Sequence, residues 1–270
     1  MQTVLTIAGF DPSGGAGVLA DSKTCAAFGC FGAAAITSLT SQNTRGVYAT
    51  FHQSAEVLRA QLVPILEDYD LAAVKIGMLP TTELIEVVIE MLAPRNLKNI
   101  VLDPVLQSSS GFALMDDAAQ KLLLEKLLPL TDVVTPNLDE IAALLGSKPM
   151  TVTEMQIAAA QLSAQLSQHK PVAVLVKGGH LPHEATDVLF ADNMLYSFTA
   201  AKLSSRHTHG TGCTLSSAIA ALLAQSCTLP EAVQRAKNYV TEAIIHAPNI
   251  GHGAGPLNHF YNYAAKSPYL

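Results

Sequence analysis

A single α/β domain built on a mainly parallel sheet is predicted by three observations. Short β-branched apolar runs alternate with longer segments of helical period. The runs are nearly continuous in hydrophobicity, as strands covered on both faces are. Several of them end in polar or glycine-rich segments, where open parallel sheets bind their ligands. The candidate strands are Val4–Ala8, Ala34–Leu39, Val47–Phe51, Ala73–Ile76, Ile100–Leu102, Val133–Thr135 and Val172–Val176. Between them, Leu84, Val87, Val88, Met91 and Leu92 fall on one helical stripe, and Leu215, Ile219, Leu222 and Leu223 fall on another. Val188–Phe190 and Leu195–Phe198 flank Ala191-Asp192-Asn193-Met194, an antiparallel hairpin at a sheet edge, and helices follow at about 214–224 and 230–246. No linker, repeat or low-complexity run divides residues 1–270, so one domain is expected.

Composition narrows the partners. With 49% hydrophobic residues in 270, a large core is available and disorder is excluded. A formal charge of -6 offers no basic footprint for nucleic acid or an anionic membrane. Residues Met1–Gly9 lack the basic region and apolar length of a signal peptide, and no apolar stretch is long enough to span a bilayer. The four cysteines (Cys25, Cys30, Cys213, Cys227) are too scattered for a disulfide scaffold or a CxxC zinc site. A cytoplasmic protein is the expectation.

The strand ends carry the chemistry. Gly9–Gly17 follows the first strand and contains Gly15-Ala16-Gly17-Val18-Leu19-Ala20, a formal match to the dinucleotide fingerprint. The loop is long for a tight turn, and no acidic residue lies between Ser22 and Ala55 to hold a ribose. A backbone that closely approaches a small ligand is the better reading. His209-Gly210-Thr211-Gly212-Cys213-Thr214 precedes an apolar helical stripe. Its glycines leave amides free for an anion at a helix N-terminus, where Cys213 is expected to have a lowered pKa. The alternatives are a helix cap at Thr211 and a core cysteine.

Lys177 stands at a strand end before Gly178-Gly179, within reach of phosphates or simply solvated. Asn137 and Glu140 share a helical face after Thr135-Pro136, which suits a magnesium–phosphate site or a capping box. Asp103 ends another strand, for metal work or loop anchoring. Gln42, in Thr40–Thr44, has a primary amide able to read an aminopyrimidine edge; an exposed loop glutamine is the plain alternative. The pairs His207/His209 and His180/His183 lack companions at metal-ligand spacing. Cys25 and Cys30 are expected in the core.

Taken together, Gly9–Gly17, Gln42-Asn43-Thr44, Lys75-Ile76-Gly77-Met78-Leu79, Asp103-Pro104-Val105, Thr135-Pro136-Asn137-Leu138 and His209–Thr214 stand in an order that resembles the hydroxymethylpyrimidine/phosphomethylpyrimidine kinases of the ribokinase superfamily. The resemblance runs from about residue 3 to about residue 260. It implies a ribokinase-like three-layer sandwich with a central sheet of about eight to ten strands, in a homodimer. It implies an ATP- and Mg²⁺-dependent enzyme of thiamine biosynthesis that phosphorylates 4-amino-5-hydroxymethyl-2-methylpyrimidine and then its monophosphate. By the same resemblance, Gly9, Asp11, Ala16, Gln42, Met78 and Val105 bind the pyrimidine. Gly210, Thr211 and Gly212 form the anion hole, with Cys213 as base for the alcohol, where superfamily sugar kinases use Asp. Lys177, Asn137, Glu140 and Thr208 hold the nucleotide phosphates, and Asp103 and Glu140 (through water) are the magnesium candidates. Phe10 and residues 107–110 receive no role. The rivals are a pyridoxine/pyridoxal kinase, disfavoured by Gln42, and a non-catalytic pyrimidine-binding protein.

Overall fold

The computed structural model describes residues 1–107, 114–179, 181 and 185–264; His180 and His183, and most of 107–110, lie outside the described residues. Among the described residues, nine strands form one sheet in the order β3-β2-β1-β4-β5-β6-β7-β8-β9. They are β1 Thr3–Phe10, β2 Phe31–Asn43, β3 Gly46–His52, β4 Leu71–Ile76, β5 Ile100–Leu102, β6 Val133–Val134, β7 Ala173–Val176, β8 Ala185–Ala191 and β9 Met194–Ala200. The run from β2 to β7 is parallel, while β3, β8 and β9 pair antiparallel at the two edges. The expected hairpin is therefore β8–β9, with Ala191 opposite Met194.

Two expectations are corrected at the other edge. The run Val47–Phe51 is not covered on both faces: β3 is an antiparallel edge strand, and Tyr48 and Phe51 are exposed. Thr40–Asn43 is not a loop but the end of a 13-residue β2, which overshoots the sheet to pair with β3. Gln42 is thus carried by a strand and is half-buried. A shift in pairing at Ser41/Gln42 marks a bulge there, a device that re-aims side chains near sites.

Helices cover both faces, and the strands address them alternately as a period of two requires. Leu5, Ile7, Val74, Ile76, Leu102, Val134, Val174 and Val176 pack toward α2 (Ala55–Asp68), α3 (Thr82–Leu92), α4 (Asp117–Leu122), α5 (Leu138–Leu145) and α6 (Val152–Leu166). Val4, Ala73, Val101, Val133, Ala173 and Leu175 pack toward α1 (Gly17–Ala27), α7 (Thr211–Ala224) and α8 (Leu229–Ile245). The stripe Leu84, Val87, Val88, Met91 and Leu92 is buried throughout. Because β1, β4, β5, β6 and β7 run the same way, the segments after them gather at one rim, as expected for a ligand site.

Candidate active site

Two helices begin at this rim without side-chain caps. On the first face, Ser54, Thr81, Asp116, Asn137 and Thr151 each cap their helix with a side chain. At α1 and α7 the N-caps are Ala16 and Gly210, which offer none. Amides of a first helical turn lack intrahelical acceptors and bring partial positive charge with them. The sequence requires this geometry at Gly210: its φ is +83°, and a Cβ there would lie 1.8 Å from the Gly15 carbonyl. Thr211 is not the cap; its hydroxyl donates to the exposed Thr208 through the carbonyl at 2.6 Å.

Gly212 links that helix start to a charged cluster. A Cβ on it would stand 3.2 Å from Asp103 Oδ2 and 3.3 Å from Lys177 Nζ. Lys177 is paired with Asp103 and lies 3.8 Å from Glu140 Oε2, with only 14% of its side chain exposed. Simple solvation is ruled out. Burial disfavours the ammonium, but the two carboxylates outweigh it and hold the Lys177 pKa above its usual value. Asp103 also accepts from the Thr135 hydroxyl at 3.1 Å.

Burial pushes the Glu140 carboxyl up to about 7, against the pull of Lys177. Glu140 and Asn137 form the capping box of α5: Asn137 Oδ1 accepts from Asp139 and Glu140 amides, and Glu140 accepts from the Asn137 amide at 2.6 Å. The structural alternative is therefore realised for this pair, which still sits against Lys177. Among the described residues no group of three or more His, Cys, Asp or Glu is placed to hold a metal, so a fully protein-built cation cage is absent there. One or two carboxylates beside phosphate groups remain the form a Mg²⁺ site takes.

A second cluster joins the β1 loop to the segment before α7. Asp11 accepts from the Ser13 amide and hydroxyl, both at 2.9 Å, and from the Ala16 amide at 3.0 Å. His209 Nε2 meets Asp11 Oδ2 at 2.7 Å and the Gln42 amide at 3.1 Å. Burial alone would raise the Asp11 pKa, yet these hydrogen bonds bring it below the usual carboxylate value. Gly9 faces Met78, whose sulfur would be 3.1 Å from a Cβ at Gly9. Val105 is half-buried two residues past Asp103. The Gly-rich tail closes over this side: the amides of His252 and Gly253 both donate to Thr44 Oγ1 at 3.2 Å.

Beneath both clusters lies an ion pair that sequence reasoning missed. Lys75 and Asp21 are 0% exposed and 2.8 Å apart, and Asp21 also accepts from the hydroxyls of Thr6 and Ser217. The signal was a lysine inside the apolar run Ala73–Ile76, since a charge on a covered strand must be paired. The pair bears on Cys213. The expected lowering of that thiol is overturned: removal from water pushes it up to about 11, and the carboxylates of Asp21 and Asp103 add to this, against Lys75 and an amide of Gly17. At neutral pH Cys213 is a thiol.

Comparison with known proteins adds to the geometry. The family model for phosphomethylpyrimidine kinase matches residues 11–258. The hydroxymethylpyrimidine/phosphomethylpyrimidine kinase of Rhizobium meliloti is 46% identical over 96% of this chain and 97% of that protein. The chain spans half the length of the chloroplastic thiamine biosynthetic bifunctional enzyme of Arabidopsis thaliana, to which it is 41% identical. A phosphomethylpyrimidine kinase crystal structure from Clostridium difficile superposes with a TM-score of 0.79 at 40% identity, covering 90% of this chain and all of that one. An ADP complex of Bacillus subtilis pyridoxal kinase superposes with 0.88 at 34% identity, covering 98% and 99%.

Proposed function

This chain belongs to the phosphomethylpyrimidine kinase family, and from that premise we propose the reaction it runs. It transfers the γ-phosphoryl group of ATP to the hydroxymethyl group of 4-amino-5-hydroxymethyl-2-methylpyrimidine, then to the monophosphate, giving the pyrophosphate for thiamine biosynthesis. The observation that carries this reading is the meeting of an uncapped α7 N-terminus with Lys177 at Gly212. Phosphoryl transfer is mostly positioning and charge stabilisation, and those two features supply positive field at one place.

In this reading the amides at Gly210, Thr211 and Gly212 receive the charge of the transferring group, and Lys177 neutralises the nucleotide phosphates. Thr208, Asn137 and Glu140 border them. Asp103 and Glu140 suit a Mg²⁺ that keeps most of its waters; such an ion supplies further charge neutralisation on the phosphates. Gly9, Asp11, Ala16, Gln42, Met78 and Val105 enclose the pyrimidine. Cys213 acts through its thiolate, the minor form because its pKa is raised; the thiolate takes the alcohol's proton as the oxygen attacks and becomes the thiol. The monophosphate, already ionised near neutral pH, needs no such help. A homodimer fits the exposed Phe51 and Tyr48 on the edge strand. No helix among the described residues is long and apolar enough to cross a membrane, which fits work in the cytoplasm.

Phosphorus NMR of the purified protein with ATP, Mg²⁺ and the hydroxymethylpyrimidine tests the reading. A pyrophosphate ester is the expected product. Phosphorylation of pyridoxal alone would move the protein to the pyridoxal kinase activity, and pyrimidine binding without ATP consumption would revive the non-catalytic reading.

A further inference from the structure

Two groups converge on one ring nitrogen of His209, and distance alone does not settle which of them accepts its hydrogen. His209 is 8% exposed, and its ring is clamped: a Cβ on Gly15 would fall 2.3 Å from Cδ2. Its backbone amide donates to the Gly255 carbonyl at 3.2 Å. The ring therefore has little freedom to turn. Nε2 lies 2.7 Å from Asp11 Oδ2 and 3.1 Å from the end of the Gln42 amide.

Asp11 already accepts from two backbone amides and a hydroxyl, the environment of a carboxylate. A carboxylate only accepts, so Nε2 carries a hydrogen and donates it to Asp11. A nitrogen bearing that hydrogen cannot accept from an amide N–H. The structure places the Gln42 amide nitrogen at that end, so hydrogen bonding requires the amide turned over, with its carbonyl oxygen facing His209 and sharing the same hydrogen. The amide nitrogen accordingly faces Thr40 Oγ1, 3.1 Å from the other end. That assignment is self-consistent, because the Thr40 hydroxyl is free to donate to the Phe10 carbonyl at 3.2 Å. The relay from Asp11 through His209, Gln42 and Thr40 to Phe10 permits one orientation of the amide. Each end of the amide spends one hydrogen-bonding position on the relay, which leaves an acceptor and an N–H side by side. An aminopyrimidine offers the complement, a ring nitrogen next to an exocyclic amine.

We propose that His209, held by Asp11, is a positioning residue that sets which way the Gln42 amide points and so selects an aminopyrimidine. The inference rests on the function proposed above and deepens it. Its test is calorimetric: dissociation constants for the 4-amino-5-hydroxymethyl-2-methylpyrimidine and for its 4-deamino analogue, on the wild type, His209→Leu, His209→Gln and Thr40→Val. The wild type is expected to prefer the amino compound by about 10- to 100-fold, the range of a good bidentate contact. His209→Leu is expected to shrink that preference to about threefold or less. His209→Gln, which can present an N–H where Nε2 was, restores most of it. Thr40→Val loosens the opposite end and leaves the Asp11–His209 contact in place, losing only the hydroxyl's bond to the Phe10 carbonyl; it shifts the ratio the same way and carries the test if the leucine variant does not fold. A merely structural histidine would weaken both ligands equally and leave the ratio unchanged, which overturns the proposal. So does an unaltered ratio in both His209→Leu and Thr40→Val. If the wild type binds and phosphorylates the pyrimidine while these ratios stay fixed, only this inference fails. If the wild type binds neither compound, the functional reading fails and takes this one with it.

Discussion

The helices on one face of the sheet meet it through leucine, isoleucine and valine, and those on the other meet it through small and hydroxylated residues around a buried charge. On the first face α3 and α6 bury Leu84, Ile85, Val88, Met155 and Leu162. On the second, α7 buries Thr214, Ser216, Ser217 and a run of alanines, and α1 buries Asp21 and Thr24. The first face has side-chain helix caps and apolar contacts, each fully buried aliphatic side chain contributing about 1.5–3 kcal/mol. The second gives up apolar area to hold Lys75, Asp21 and Ser217 in a dry network. Small residues let α7 lie close to the sheet, so its N-terminus reaches the rim where Asp103 and Lys177 end their strands. One face stabilises; the other positions.

The largest effect that should separate the two is Lys75→Met. It leaves Asp21 buried and unpaired, and loss of about 3–5 kcal/mol is expected in denaturant unfolding. Adding Asp21→Asn should recover most of that loss, because it removes the unpaired charge and its amide oxygen still accepts from one of the two hydroxyls of Thr6 and Ser217, while its NH2 can donate to the other's oxygen. Next, Leu84→Ala on the other face should cost about 3 kcal/mol through the cavity it leaves. Its KM for both substrates should stay unchanged; a shifted KM would mean the faces are not separate in role.

Cys213→Ala probes the site where the network touches chemistry. It should slow phosphorylation of the alcohol about 10²-fold, as loss of a general base does, and phosphorylation of the monophosphate far less. The wild-type first step should also gain rate as pH rises from neutral toward the raised thiol pKa of about 11, and the alanine variant should not. Equal losses on the two acceptors contradict the assigned role.

A further effect concerns the α5 cap and shows in the pH dependence rather than in the total stability. Glu140 titrates near 7 when folded and in the ordinary range near 4.5 when unfolded. Below 4.5 both states hold the proton, so the stability linked to it is fully present there. It is lost as pH rises through about 7, because the unfolded chain ionises first. Glu140→Gln should remove that slope from the pH dependence of unfolding while keeping an oxygen for the Asn137 amide.

Much of this arrangement was legible residue by residue. The alternation of Val4, Leu5 and Ile7, or of Ala173, Val174, Leu175 and Val176, is a local pattern, and all nine strands follow from such runs. The helix start at Asn137 is equally local, as is the turn between β8 and β9. The glycines at 210 and 212 marked the helix start that matters. Misreadings cluster where a neighbour distant in sequence decides the outcome. Most of Thr40–Thr44 read as a loop because its polar residues carry no record of the β3 partner that makes Thr40–Asn43 strand. Asp21 gave no signal, since an acid inside a helix is usually solvated.

Composition, strand and helix periods and the glycine-bearing strand ends were determined by the chain alone, because each is written within a window of about ten residues or fewer. Tertiary structure alone decided the pairings and their electrostatics. Asp21 meets Lys75 across 54 residues, and Asp11 meets His209 across 198. The same holds for Cys213, whose thiol a helix start should have acidified. Desolvation and two remote carboxylates raise it instead, and both depend on how many atoms surround a group once the chain has closed around it.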